Sequence, residues 1–339
     1  MVLTALLTHK PEDLDAYYVR ALPELQAIAR VVLNPFDRDL EPHELVAAAA
    51  ECDVIIAHRA TPGGAGLFAE LSQLLAFLRC AVDISTIDVQ AANTAGVLVA
   101  QADKSFVAST AELALALMLD LARNVTESTI DYRRDGSSAQ RQGRQLSGRT
   151  AGIIGYGSIG SYLARLLHEM GMRVLVCDPD MAVAAGGIEQ CDLPTLLRRS
   201  DFVLPLAAAS ASTEKLIDGA ALELVRPGTM LVNVSRGELL DEAAVAVALE
   251  SGALGGLAMD VGRAPDQRPS PALACRPGVI ATPHLGGLTP ENADAQAASS
   301  VEQVRAILAG VMPPRAVNAE HAGRLRAWWR DHHIIEESS

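Results

Sequence analysis

The chain has 339 residues, half of them hydrophobic and a fifth charged, which suits two globular domains and excludes a disordered chain. A formal net charge of -13, a pI near 5.1 and the lack of any Lys/Arg-rich run exclude nucleic acid as a partner. Cys52, Cys80, Cys177, Cys191 and Cys275 are scattered without C-x-x-C spacing, so they read as buried apolar side chains in a reducing, cytoplasmic setting, with no metal site.

In chain order, Val2 to Leu7, Val31 to Leu33, Val54 to Ala57 and Val97 to Val99 are strand-like. Pro42 to Ala50 and Leu67 to Phe77 between them read as helices. This alternation predicts a parallel sheet covered by helices. The N-terminus has no basic region before its apolar run and is expected to be a strand, not a signal peptide. Ser109 to Arg123 is built from strong helix formers and is apolar nearly all round, so it must be buried on several sides, against its own domain or also a second subunit. The apolar stretch Leu113 to Leu119 is far shorter than the ~20 residues of a membrane span, and no membrane association is expected.

A second series begins at Thr150: strand Thr150 to Ile154, helix Ser158 to Met170, strand Arg173 to Cys177, then strands at Phe202 to Pro205, Met230 to Val234, Leu257 to Asp260 and Val279 to Thr282. Asp241 to Glu250 and Pro290 to Leu308 are helical patterns. This is the order of a doubly wound sheet. Gly155, Gly157 and Gly160 form G-x-G-x-x-G directly after a strand and at the opening of a helix. The first glycine allows the tight turn, the second a close approach of backbone to a pyrophosphate, and the third close helix packing. Tyr156, Ser158 and Ile159 complete the loop. Asp178 ends the next strand, 18 residues after Gly160, at the distance of a ribose-binding carboxylate. No Arg follows it, so NAD is favoured over NADP. A methyltransferase-type nucleotide site is the competing reading of this motif.

Two further side chains stand just past predicted strands, where open α/β sheets bind ligands. Arg236 follows Val234-Ser235 and offers a planar fork for a carboxylate. His284 precedes the pair Gly286-Gly287. Several ordered segments then become specific together: LSGRTAGIIGYGSIG (Leu146 to Gly160), VNVSRGELLDEAAVAVALESGALGGLAMDV (Val232 to Val261), ATPHLGGLT (Ala281 to Thr289) and Pro313 to Asn318. With them the chain resembles the D-isomer-specific 2-hydroxyacid dehydrogenases, the family that includes phosphoglycerate and glycerate dehydrogenases.

The resemblance implies a Rossmann-type NAD-binding domain (102–287) and a smaller flavodoxin-like α/β substrate domain (1–101 and 288–339), with the active site in a cleft whose closure excludes water. It implies that Arg236 holds the carboxylate and keto oxygen of a small 2-keto or 2-hydroxy acid, that His284 is the general acid/base, that Val234, Ser235 and Asp260 border the cofactor, and that the protein is a homodimer. Three positions depart from the family pattern. Pro265 stands where the family has a glutamate bonded to the histidine, and Asp266, one residue late, is the expected replacement. Leu206 and Ala208 replace a His and a Pro beside the cofactor. The substrate loop reads Arg79-Cys80-Ala81-Val82-Asp83-Ile84-Ser85-Thr86, so Ala81, Val82 and Asp83 are its candidate contacts. Arg59 and Arg79 are candidates for a distal anionic group. The missing glutamate keeps open an alternative, an NAD(H)-sensing scaffold of low activity on the same fold.

Overall fold

The computed structural model describes residues 2–183, 186–264 and 266–334. The chain divides into two compact units, one running to Ser105 and resuming at Pro290, the other spanning Phe106–Thr289.

In the first unit, strands β1 (Leu3–Leu7), β2 (Ala29–Leu33), β3 (Val54–Ala57), β4 (Ala76–Arg79) and β5 (Leu98–Gln101) form a sheet in the order β2-β1-β3-β4-β5. All its pairings are parallel, the flavodoxin-like order. Strand parity sorts the core. Leu3, Ala5, Leu7, Val54, Ile56, Leu78 and Leu98 face one cluster, and Leu6, Ile55, Ala57, Phe77 and Val99 face the other. Each such burial contributes about 1.5–3 kcal/mol for a large aliphatic or aromatic side chain. The C-terminal segment completes the first cluster through Val301, Val304 and Ile307 of the helix Pro290–Leu308 and Leu325 and Trp329 of the helix Gly323–Asp331. Asn318 fastens it to β5, accepting from Val99 N at 2.7 Å and donating to Val97 O at 3.0 Å.

One expectation fails here. The helix expected over Leu67 to Phe77 is the shorter Ala65–Glu70, and Ala76–Phe77 belong to β4. The backbone leaves the helix at Leu71, and β4, between β3 and β5, is buried at every residue. A strand buried on both faces loses the period-2 signature and reads like a buried helix.

The second unit holds β6 (Thr150–Ile154), β7 (Arg173–Cys177), β8 (Ile188–Gln190), β9 (Phe202–Pro205), β10 (Thr229–Asn233), β11 (Leu254–Met259) and β12 (Val279–Ala281). Their order is β12-β11-β10-β9-β6-β7-β8, again with parallel pairs. The winding reverses between β6 and β9, and the crevice at that switch point, beyond the strands' C-terminal ends, is where such sheets bind dinucleotides. The helix Val107–Arg123 packs Ala111, Ala114, Leu117, Met118, Leu121 and Ala122 onto this sheet's core. Within the unit it is buried on one broad side rather than all round: Glu112, Ala116, Leu119 and Arg123 stand exposed along the other.

Candidate active site

At the C-terminal end of β6 the chain turns at Gly155, whose φ of +100° is strained for any other residue. A Cβ there would lie 2.7 Å from Ala207 N, and one at Gly160 would lie 2.1 Å from Gly155 O. Both glycines are therefore fixed by backbone packing. Gly157 differs, because nothing lies within 4 Å of where its Cβ would be. No side chain caps the helix Ser158–Glu169 that follows, which leaves its N-terminal N–H groups without a side-chain acceptor, as a pyrophosphate site requires. Asp178 is half-buried beyond β7. It accepts from Tyr156 N at 2.6 Å and from Asp180 N and Met181 N at 2.9 Å each. Burial raises its pKa, but the three backbone donors outweigh that and hold it below the ordinary value. The residues present thus fit NAD: a bare helix terminus for the diphosphate, and a fixed anion with lone pairs left for ribose hydroxyls.

Along the same edge, adjacent strands deliver the catalytic candidates. Arg236 lies three residues past β10, Asp260 directly past β11, and His284 three residues past β12. Asn233, fully buried, ties the first turn by accepting from Ser235 N at 3.1 Å and donating to Arg236 O at 2.8 Å. Ser235 Oγ adds a bond to Ala207 O at 2.9 Å, next to Leu206 and Ala208, and Val234 is buried beneath. Gly237 then abuts Gly262, where a Cβ would come within 2.2 Å of a carbonyl carbon. Arg236 donates from Nη1 to Ser235 O at 2.8 Å, and its guanidinium meets no carboxylate among the described residues.

His284 adopts φ +62°, the left-handed region, which costs a non-glycine residue roughly 1 kcal/mol. Asp260 compensates. Its carbonyl accepts from His284 N at 2.9 Å, and its carboxylate accepts from Thr282 Oγ1 at 2.6 Å, Leu285 N at 2.7 Å and Gly286 N at 2.8 Å. The fully buried Asp260 carboxylate therefore grips the loop on both sides of the histidine. Asn233 and Thr282, which sequence reasoning missed, belong to this scaffold; a polar residue closing an apolar strand just before Ser-Arg-Gly, and one just before Pro-His, are the signals.

Asp266 does not reach His284. It is exposed, accepts from Arg268 N at 3.1 Å and pairs with Arg268 Nε at 3.4 Å. Its short side chain turns back on its own loop. Pro265, which stands at the family's glutamate position, lies outside the described residues.

In the first unit, Arg59 is exposed after β3 and forms no ion pair among the described residues. Ala81 and Val82 are half-buried past β4, and Asp83 Oδ1 accepts from Ser85 N at 2.9 Å. Arg79 is not available to a distal anion. It is wholly buried and donates to His58 O, to Thr61 O at 2.7 Å and to Thr86 Oγ1 at 2.9 Å, and burial lowers its pKa to about 10. A guanidinium with three internal acceptors is a structural tie. Beside it, Asp13, Asp39 and His58 bring ligand-type atoms within 4.8 Å of one another.

Comparison with known proteins agrees with this geometry. Residues 115–286 match the family described as D-isomer specific 2-hydroxyacid dehydrogenase, NAD binding domain. The chain is 35% identical to D-3-phosphoglycerate dehydrogenase of Mycobacterium leprae over 281 residues, which cover 82% of this chain and 53% of that protein. It is 31% identical to hydroxypyruvate reductase of Thermotoga maritima over 272 residues, covering 79% of this chain and 88% of that one. The solved apo-structure of D-lactate dehydrogenase from Escherichia coli superposes with a TM-score of 0.78 at 27% identity, covering 93% of this chain and 100% of that one. The chain belongs to the D-isomer specific 2-hydroxyacid dehydrogenase family, with its Rossmann NAD-binding domain. It spans about half the length of the D-3-phosphoglycerate dehydrogenases it matches.

Proposed function

We propose that the protein transfers a hydride between NAD(H) and a small 2-hydroxy or 2-keto acid. The observation that carries this reading is the Asp260 clamp, which holds His284 in a strained backbone conformation two strands from an Arg236 whose guanidinium has no carboxylate partner among the described residues. When bound, the cofactor supplies or accepts the hydride. Arg236 binds the substrate carboxylate through its fork and polarises the keto oxygen. His284 donates a proton to that oxygen as it becomes a hydroxyl, and takes it back in oxidation. Asn233 and Asp260 position these two groups. Ala81, Val82, Asp83 and Arg59 are proposed contacts for the rest of the substrate.

A cytoplasmic homodimer is the proposed state. Leu119, Val125, Ile130 and Tyr132 are apolar and exposed along the consecutive helices Val107–Arg123 and Val125–Asp135, which suits a second copy. Among the described residues no helix is long and apolar enough to cross a membrane.

The test is NADH oxidation with a panel of 2-keto acids, including glyoxylate, pyruvate, hydroxypyruvate and a phosphorylated keto acid. Saturable turnover with at least one is expected. Tight NADH binding with no turnover across the panel would overturn the enzymatic reading and leave the sensing scaffold.

A further inference from the structure

The strands that present the glycine loop and Asp178 have a cationic cavity at their opposite, N-terminal ends. Its volume is about 390 Å³, and His168, Arg173, Glu189, Arg198, Arg199 and Arg226 surround it. Four arginines and one glutamate thus line it, on a chain of formal charge -13. They come from separate segments: Arg173 opens β7, Arg198 and Arg199 close the helix Leu193–Arg199, and Arg226 precedes β10.

Internal pairing accounts for only half of them. Arg199 Nη2 donates to Glu189 Oε2 at 2.8 Å, and Arg226 pairs with Asp201 at 3.1 Å. Arg173 donates only to Gly148 O, at 3.3 Å, and Arg198 forms no hydrogen bond or ion pair among the described residues. The helix dipole favours cations in the last turn of Leu193–Arg199, which explains Arg198 and Arg199 as a pair but neither Arg173 nor Arg226. On another wall Gly187, at φ +84°, lies against His168 so closely that a Cβ would stand 2.3 Å from imidazole Cε1.

We propose that this cavity binds the phosphate group of a small phosphorylated metabolite. Arg173 and Arg198 bring two planar forks whose donors match a tetrahedral oxyanion, and His168 adds a ring nitrogen. Met172 and Val174, both buried in the core of the unit, close the floor of the cavity. The site lies on the second unit at the end of its sheet away from the glycine loop, so it is separate from the cofactor's own anion site.

The experiment is calorimetric titration of the NADH-saturated protein with sn-glycerol 3-phosphate, so that the cofactor's pyrophosphate site is already filled. The parent is expected to bind one equivalent with a Kd below about 1 mM, and the double variant Arg173→Ala/Arg198→Ala to bind at least about 10-fold more weakly. Arg173→Lys/Arg198→Lys should fall between, since an ammonium keeps the charge and loses the fork. An unchanged NADH affinity shows that the alanine variant is folded, because the cofactor loop rests on the same strands. Absence of saturable binding to the parent, or equal binding by parent and alanine variant, overturns the proposal; the latter places the phosphate elsewhere, such as a substrate subsite.

Discussion

Asp260 has no exposed surface, and both of its carboxylate oxygens accept bonds from the loop that carries His284. An amide can accept on one atom only, so Asp260→Asn turns an NH₂ toward one of these donors. The expected cost is about 1.5–3 kcal/mol, seen as a Tm lowered by several degrees, with kcat down by roughly 10-fold or more as the histidine loses its placement. Asp266→Asn is the contrast: its carboxylate serves Arg268, so the acid/base limb of the pH profile should stay where it is. Asp178, held by three backbone donors, is the proposed anchor of the cofactor's ribose. Removing it as Asp178→Ala should raise the KM for NADH by about 10-fold or more, the worth of charge-assisted bonds, and narrow the preference over NADPH. Comparable kcat/KM for the two cofactors in the parent would contradict this assignment. The glycines, Asp178, Arg236 and His284 were legible because each sits where strand-end chemistry demands its type. Arg79 was not, because nothing in a sequence distinguishes a solvated guanidinium from one closed over by three acceptors.

At the scale of elements, most strands announced themselves as short apolar runs between helical patterns. β4 did not, because separate core clusters bury both of its faces and leave no polar alternation, and β8, only Ile188–Gln190, lies on the sheet edge with two exposed residues and too little apolar signal. The end of β1 carries a consequence that only the fold reveals. His9 is buried, its ring 5.3 Å from that of Tyr18 and 5.1 Å from that of His58. Burial, reinforced by His58, lowers its pKa from 6.5 to about 3. Between those values the unfolded chain binds a proton that the folded chain refuses. Stability is therefore fully present above about pH 6.5 and is lost as pH falls toward 3, by up to ~1.4 kcal/mol per pH unit for this group. His58, also lowered by burial despite Asp13 and Asp39, acts with the same sign. Denaturant unfolding between pH 7 and 4 should show His9→Gln with a shallower slope than the parent. Parallel slopes would rule out a buried neutral His9.

At the scale of the molecule, the sequence reading divides the chain at 101/102 and 287/288, and the compact units meet at 105/106 and 289/290. The whole-chain order was readable because each unit repeats a strand-helix-strand grammar and the family's motifs fall in one sequence. The clustering of Arg173, Arg198, Arg199 and Arg226 was not, since residues so far apart converge only through the winding of the sheet. If the exposed apolar stripe from Leu119 to Tyr132 meets a second copy, light scattering should give twice the 35.7 kDa chain mass, and Ile130→Asp/Tyr132→Asp should return the monomer; a monomeric parent at micromolar concentration would dismiss the dimer. The proposed reaction turns on the anchoring of the substrate carboxylate by Arg236 while Asp260 clamps the loop of His284. It is tested most directly by comparing kcat/KM of parent and Arg236→Lys for the best keto acid, with NADH affinity measured alongside. A loss of about 100-fold or more at nearly unchanged NADH affinity is expected. A lysine variant that reduces the same acid at the parent's rate would contradict it.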